Sequence, residues 1–285
     1  MVRLRLTGGT LGAVAGFDWI SLCTDYGDAD GFVAACHGVI ARIAPHARVL
    51  DITHAVAPGD VRRGSVLLAD TLPWLPAAVH VAVVDPGVGT ARRGIALVSG
   101  DAVLVGPDNG LLLPAAEILG GVRAAYEVVE PAYRLETVSA TFHGRDIFAP
   151  VAAHLAAGVG LPELGEAAEP ASLRRLESGP PASDRGGGLT TRILSLDHFG
   201  NARLSATTEQ AGLEYGGDLK VDAGDGEMSV RYVETFGSAG AGELVLVPDS
   251  HWRLSLAINK GNAAQALALR VGGTVRLIPA EDHDG

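Results

Sequence analysis

The chain has 285 residues, 47% of them hydrophobic, with 38 glycines and 15 prolines. That suffices for one large domain or two ordinary ones, with a sizeable core and many turns. A formal net charge of -11 argues against a broad basic surface for nucleic acid or an anionic membrane, and two cysteines are too few for a disulfide framework or a cysteine metal site.

Residues 1–17 read as an N-terminal extension, either an extra strand or the product of an upstream start. They lack a long apolar h-region and an A-x-A site, so export is not expected. No apolar run reaches the length of a membrane span. Residues 18–163 then alternate strands with helices. WISLC (19–23) is a buried strand, TDYGDADG a glycine-bearing acidic turn, and FVAACHGVIARIAP (32–45) a helix stopped near its proline. ARVLDIT returns as a strand, and Asp60 caps a helix running through Asp70. VHVAVV (79–84) is another buried strand; GIALV and AVLVG form a hairpin across Ser99, Gly100 and Asp101. LLLPAAEILG and IFAPVAAHLAAG are helical, the first with Pro114 in its interior. Cys23 and Cys36 are expected to be reduced core residues. This pattern predicts an α/β domain, a mixed or parallel sheet covered by helices on both faces.

Residues 164–187 mix charge, proline and glycine and read as a linker. Residues 188–280 carry short strand-like runs, among them LTTRILSLD, NARLSAT, DLKVDA, MSVRYV, ELVLVPD, WRLSLAI and TVRLIPA, with GNAAQALAL as a short helix. They predict a smaller antiparallel β-barrel-like domain, followed by a tail at 281–285. No repeat of solenoid length is present.

Several turns carry chemistry-bearing residues at strand ends, where ligands bind in open α/β sheets. Asp25 stands after the first strand; one carboxylate there accepts both hydroxyls of a ribose, or simply shapes a turn or helix cap. In VVDPGVGTARRG (83–94), Asp85 follows a strand, Gly87 and Gly89 permit a close backbone path, and Arg92 and Arg93 follow. One arginine can fold back on the carboxylate while the other faces water. Asn109 in PDNG suits a ligand or a helix cap. His143 in TFHGRD suits proton transfer near neutral pH or a structural bond. Phe199 in DHFGN can stack on a flat base or cover a core edge, and Ser250 and Asn259 flank a later strand. No phosphate loop, G-x-S-x-G elbow or metal-ligand spacing such as H-E-x-x-H occurs.

Taken together, LCTDYGDADGFVAACHGVI, ITHAVAPGDVRRG, VVDPGVGTARRG, GPDNGLL, TFHGRDIFAP, LDHFGN and INKGNAA resemble the S-adenosyl-L-methionine hydroxide adenosyltransferases, which are related to the fluorinating and chlorinating S-adenosylmethionine enzymes. The match keeps motif order from about Ile20 to the C-terminal strands. The resemblance implies hydrolysis of S-adenosyl-L-methionine to adenosine and L-methionine by a cytoplasmic homotrimer, with sites between the N-terminal domain of one subunit and the C-terminal domain of the next. It implies that Asp25 binds the ribose hydroxyls and that Asp85, Arg92 and His143 form the water-positioning triad. Asp30, Asp197 and Ser250 would hold the methionine portion, Phe142 would flank the nucleoside, and Phe199 and Asn201 would serve the adenine side. Halogenating relatives carry a tyrosine at the position of Asp85 and usually a serine at Gly144; both differences favour water over halide. The chain departs from the family at Leu204-Ser205, usually Thr-Asn, and at Asp249-Ser250, usually Asn-Ser.

A sulfonium leaves as a neutral thioether, so no metal or redox cofactor is expected, and S-adenosylmethionine is the substrate. The harder tasks are aligning, desolvating and deprotonating a weak nucleophile. At this level His143 is the better neutral-pH base, with Asp85 sharing the water's hydrogens. The competing readings are halide transfer and a non-catalytic S-adenosylmethionine or nucleoside sensor.

Overall fold

A computed structural model of the chain describes residues 16–176, the backbone of 182–183, and residues 188–224 and 226–279. Most of the expected extension, much of the expected linker and the tail lie outside these. The first of two compact units ends at Leu176.

The first unit holds six strands, β1 (Trp19–Thr24), β2 (Arg48–Thr53), β3 (Val79–Val83), β4 (Gly94–Ser99), β5 (Ala102–Pro107) and β6 (Ala124–Glu127), in the order β2-β1-β3-β5-β4-β6. β1 pairs in parallel with β2 and β3, and β3 with β5. β4 is antiparallel to β5 and β6, so the sheet is mixed.

Alternation along the strands sends side chains to two cores. Ile20, Leu22, Val81, Val103 and Val105 enter one with α1 (Phe32–Ile43) and α4 (Ala149–Ala156). Cys23, Ala82, Leu97 and Leu104 enter the other with α2 (Val61–Thr71) and α3 (Leu113–Ile118). Each fully buried Leu or Ile contributes about 1.5–3 kcal/mol relative to exposure. Both cysteines are free and buried, and burial pushes their thiols up to about 12, so they stay protonated. Asp60 caps α2 by accepting from Arg63 N at 2.9 Å. Pro114 lies in the first turn of α3 rather than its interior, where a missing N–H leaves nothing unsatisfied.

Two expected boundaries move. Phe17, assigned to the extension, is buried in the first core. Residues 164–176, assigned to the linker, pack on the first unit: Ala168 N donates to Ala125 O at 2.9 Å, and Arg174 N to an oxygen of Asp108 at 2.9 Å. Loop-like composition concealed long-range bonds that only the fold supplies.

The second unit contains β7 (Ala182–Ser183), β8 (Leu189–Leu196), β9 (Ala202–Thr207), α5 (Thr208–Ala211), β10 (Asp218–Asp222), β11 (Glu227–Tyr232), β12 (Leu244–Pro248), β13 (Arg253–Ile258), α6 (Ala263–Ala266) and β14 (Thr274–Pro279). Strands β8 to β14 close into a barrel through a β14–β8 pairing, with β7 added alongside β8. Its seams are antiparallel except β11–β12, which is parallel. Leu204, Val221, Leu246, Leu256 and Val275 fill the interior.

Candidate active site

Strand order explains where the motifs meet. β1 has β2 on one side and β3 on the other, so the chain reverses direction of travel across the sheet there. A crevice outside the carboxyl ends of the strands forms at such a point. Thr24 and Val83 end β1 and β3, so Asp25 and Asp85 both stand at this edge. β4 runs the opposite way and starts at the same edge, directly after Arg92 and Arg93.

Asp85, Arg92 and His143 form one connected group. Arg92 Nε and Nη2 donate to Asp85 Oδ2 at 2.9 and 2.5 Å, and the same Nη2 reaches His143 Nδ1 at 2.8 Å. The Asp85 and Arg92 side chains are 4% and 11% exposed. Arg92 also lies over the Phe148 ring, 5.2 Å from its centroid. A guanidinium only donates. His143 Nδ1 therefore accepts, and the proton of the neutral ring sits on Nε2. Burial first, then the Arg92 charge, pulls the His143 pKa below its ordinary value, consistent with a neutral ring. The other carboxylate oxygen, Asp85 Oδ1, is buried and accepts no hydrogen bond among the described residues.

Glycine makes this meeting possible. Gly89 has φ +77°, and a Cβ there would lie 2.4 Å from Ala140 O. The Asp85 loop thus lies directly against the segment leading to His143. That segment is held by the fully buried Asp146, which accepts from Ser139 N at 2.8 Å and Arg145 Nε at 2.6 Å. Residues Gly144–Phe148 form a wide π-type turn before α4. Pro150 lacks an N–H for the Asp146 carbonyl, which accepts instead from Leu135 N at 2.9 Å.

Gly144 also has a packing role. A Cβ on it would lie 1.9 Å from Tyr26 Oη and 2.8 and 3.1 Å from two ring carbons. Tyr26 is fixed among Phe32 and Phe142, at centroid distances of 6.1 and 5.5 Å. Gly144→Ser is therefore expected to destabilise the protein by about 1–3 kcal/mol without creating halide transfer. Chemical denaturation and product analysis in chloride buffer check this. A fully stable variant, or a chlorinated nucleoside product, contradicts it.

The remaining sequence-predicted residues of this unit take varied positions. Asp25 Oδ2 accepts from Gly59 N at 2.8 Å, so it is not a helix cap. Asp30 is exposed in the bend before α1. Phe142 lies in the aromatic group with Tyr26 and Phe32, under Arg145, whose guanidinium carbon is 4.8 Å from its ring centroid. Asn109 braces two strand exits: its Nδ2 donates to Val84 O at 2.8 Å and its Oδ1 accepts from Leu111 N at 3.1 Å. Arg93 stands apart from the triad, bonded to Asp108, Glu127 and Ser172. A cleft of about 390 Å³ lies between Arg92, Arg93, Asp108, Ser172 and Arg174, but neither Asp85 nor His143 lines it.

In the second unit, Asp197 accepts from Phe199 N and Asn201 N at 2.9 and 2.8 Å, and from Asn201 Nδ2 at 2.8 Å. This knot projects Phe199, which is 72% exposed. Ser250 Oγ lies 3.1 Å from His251 Nδ1, in a turn closed by Asp249. Asn259, directly after β13, ties back to the loop before β12 by donating from Nδ2 to Ala239 O at 2.7 Å.

Sequence reasoning passed over Tyr26, although it lies inside the TDYGDAD turn. The sequence gives no local signal for His54 either, which bonds to Thr24 and approaches Asp51 and His37. DITH puts Asp51 and His54 three apart, but only the sheet brings α1 to them.

The profile described as SAM hydroxide adenosyltransferase N-terminal domain matches residues 20–165, and that for the C-terminal domain matches residues 191–276. The (R)-S-adenosyl-L-methionine hydrolase of Salinispora tropica is 54% identical over 260 residues, covering 91% of this chain and 97% of that protein. The fluorinase of Actinoplanes sp. is 30% identical over 292 residues, covering 92% and 97%. A crystal structure of an uncharacterized conserved protein from Thermotoga maritima superposes with a TM-score of 0.84 at 34% identity, covering 91% and 99%.

Proposed function

This chain belongs to the SAM hydroxide adenosyltransferase family, and from that premise we propose that it hydrolyses S-adenosyl-L-methionine to adenosine and L-methionine. By the name of the Salinispora relative, the substrate is the (R)-sulfonium. The observation that carries the reading is the Asp85–Arg92–His143 group with its one unpaired carboxylate oxygen.

Water attacks ribose C5′ as the C5′–S bond breaks. The sulfonium leaves as the neutral thioether of methionine, and one proton is released. Arg92 holds Asp85 by one oxygen, leaving Oδ1 to accept a hydrogen of the water and then its proton, which passes to solvent. His143 presents Nε2–H and orients the water oxygen as a donor. Hydrogen-bond direction thus favours Asp85 over His143 as the base, the reverse of the choice suggested by ordinary pKa values. The leaving group needs no acid, and the reaction needs no metal or redox cofactor. Asp25 binds the ribose hydroxyls, and Phe142 flanks the nucleoside. Asp30, Asp197 and Ser250 hold the methionine portion, while Phe199 and Asn201 serve the adenine. The working form is a cytoplasmic homotrimer in which a neighbouring subunit supplies the second-unit residues. Phe199 and Trp252 are 72% and 68% exposed, so both rings are available to a neighbouring molecule. No helix among the described residues is long and apolar enough to cross a membrane.

Incubation in oxygen-18 water tests the reaction: mass spectrometry should find the label in adenosine. Unlabelled adenosine, a halogenated nucleoside, or no turnover with bound substrate would each refute it. Activity should also survive thorough chelation.

A pH profile tests the state of His143. Its folded pKa is lowered, so the neutral ring persists below the ordinary 6.5. As pH falls through the lowered value, Nδ1 gains a proton and can no longer accept from Arg92. Turnover should therefore hold from neutral pH down past 6.5 and fall only below it. An acid limb of kcat centred above 6.5 contradicts the assignment.

A further inference from the structure

We propose that His37, Asp51 and His54 form a binding site for a divalent late first-row transition-metal ion, best suited to Zn²⁺. It is separate from the transfer chemistry and independent of the reading above. α1 carries His37, the edge strand β2 carries Asp51, and His54 follows β2. Their ligand atoms all lie within 4.8 Å of one another. His37 Nε2 and His54 Nε2 stand 2.9 and 3.0 Å from the same oxygen, Asp51 Oδ1. Two nitrogens and one carboxylate oxygen leave room for water, and ligands at about 2.0–2.2 Å from the ion are typical of Zn²⁺. Such donors suit Zn²⁺ and its neighbours rather than Mg²⁺ or Ca²⁺, which prefer oxygen.

His54 supplies the independent observation. Its side chain is only 6% exposed, yet Nε2 makes no hydrogen bond among the described residues. The contact with Asp51 is close but misaligned for one. The other ring nitrogen, Nδ1, lies 2.8 Å from Thr24 Oγ1, which also accepts from Tyr26 N at 3.2 Å. If Nδ1–H donates to Thr24, Nε2 is a bare lone pair facing a carboxylate oxygen. That arrangement is repulsive unless a cation stands between them. A hydroxyl fixing the far nitrogen, and so aiming the near one, can act as the outer-shell partners of metal-bound histidines do.

A bound ion would clamp α1 to β2 and hold the turn after β1. His54 O accepts from Gly27 N at 2.8 Å, and that turn carries Asp25. His37 and Asp51 are 36% and 38% exposed, so an ion has a path in and these residues can be changed without opening a core.

The test titrates ZnCl₂ into the full chain, previously stripped with chelator, against a chromophoric competitor. The wild type should bind one Zn²⁺ per chain and gain in Tm, and Co²⁺ should give visible d–d absorption. Excess Mg²⁺ should not compete. His37→Ala and Asp51→Asn should each weaken Zn²⁺ by at least about tenfold, and Thr24→Val by about 10–100-fold. His46→Ala, altering a histidine bonded to Ala156 O, should change nothing. No stoichiometric binding, or equal affinity in a folded His37→Ala/Asp51→Asn double variant, overturns the site.

Discussion

Asp85→Asn is expected to lower kcat by about 10³-fold while leaving KM little changed. The substitution keeps the shape of the side chain and removes its charge. One oxygen still faces Arg92, but the position of Oδ1 becomes an NH₂ group that donates. The water then meets a donor where the reaction needs an acceptor. Asp25 and the aromatic group of Tyr26, Phe32 and Phe142 lie outside this change, so affinity should persist. Single-turnover rates at saturating substrate measure the effect directly. A fall below tenfold, with a large rise in KM, would make Asp85 a binding group instead.

Arg92→Ala has the second large effect, and it should appear in stability as well as rate. The Asp85 and Arg92 side chains are both largely buried. Removing the cation leaves a desolvated carboxylate without its partner, a change that typically costs about 3–5 kcal/mol. It also removes the donor that fixes His143 Nδ1 and the cation above Phe148. Chemical denaturation at neutral pH should show the loss. kcat should fall with it, because neither Asp85 nor His143 is then held. A loss under about 1 kcal/mol would put this pair in the class of exposed ion pairs.

Much of this was legible in the chain. Continuous apolar runs in VHVAVV and AVLVG marked buried strands, and acids directly after such runs marked the edge where Asp25 and Asp85 stand. Selecting Arg92 over Arg93 needed the resemblance, since two adjacent arginines look alike in sequence. The fold separates them: one turns to Asp85 and the other ties Asp108 to Ser172. β6 escaped reading because Ala124–Glu127 is short and alanine-rich. The parallel β11–β12 seam joins strands consecutive in the chain, where an antiparallel hairpin is the default, and pairing across a long separation hid the docking of residues 164–176. Hydrogen-bond direction at His143, which decides between two bases, depends on an arginine 51 residues away and has no local signal.

The closed barrel has a bearing on how the second unit meets other molecules. A sheet that ends in open strands offers rows of free N–H and C=O groups, which recruit a stranger's strand and seed aggregation. The β14–β8 pairing joins the ring and leaves no such row between β8 and β14. Backbone zippering is therefore barred along that seam. Elsewhere on the unit the projecting rings of Phe199 and Trp252 offer side-chain contacts, which are selective for shape rather than open to any extended chain.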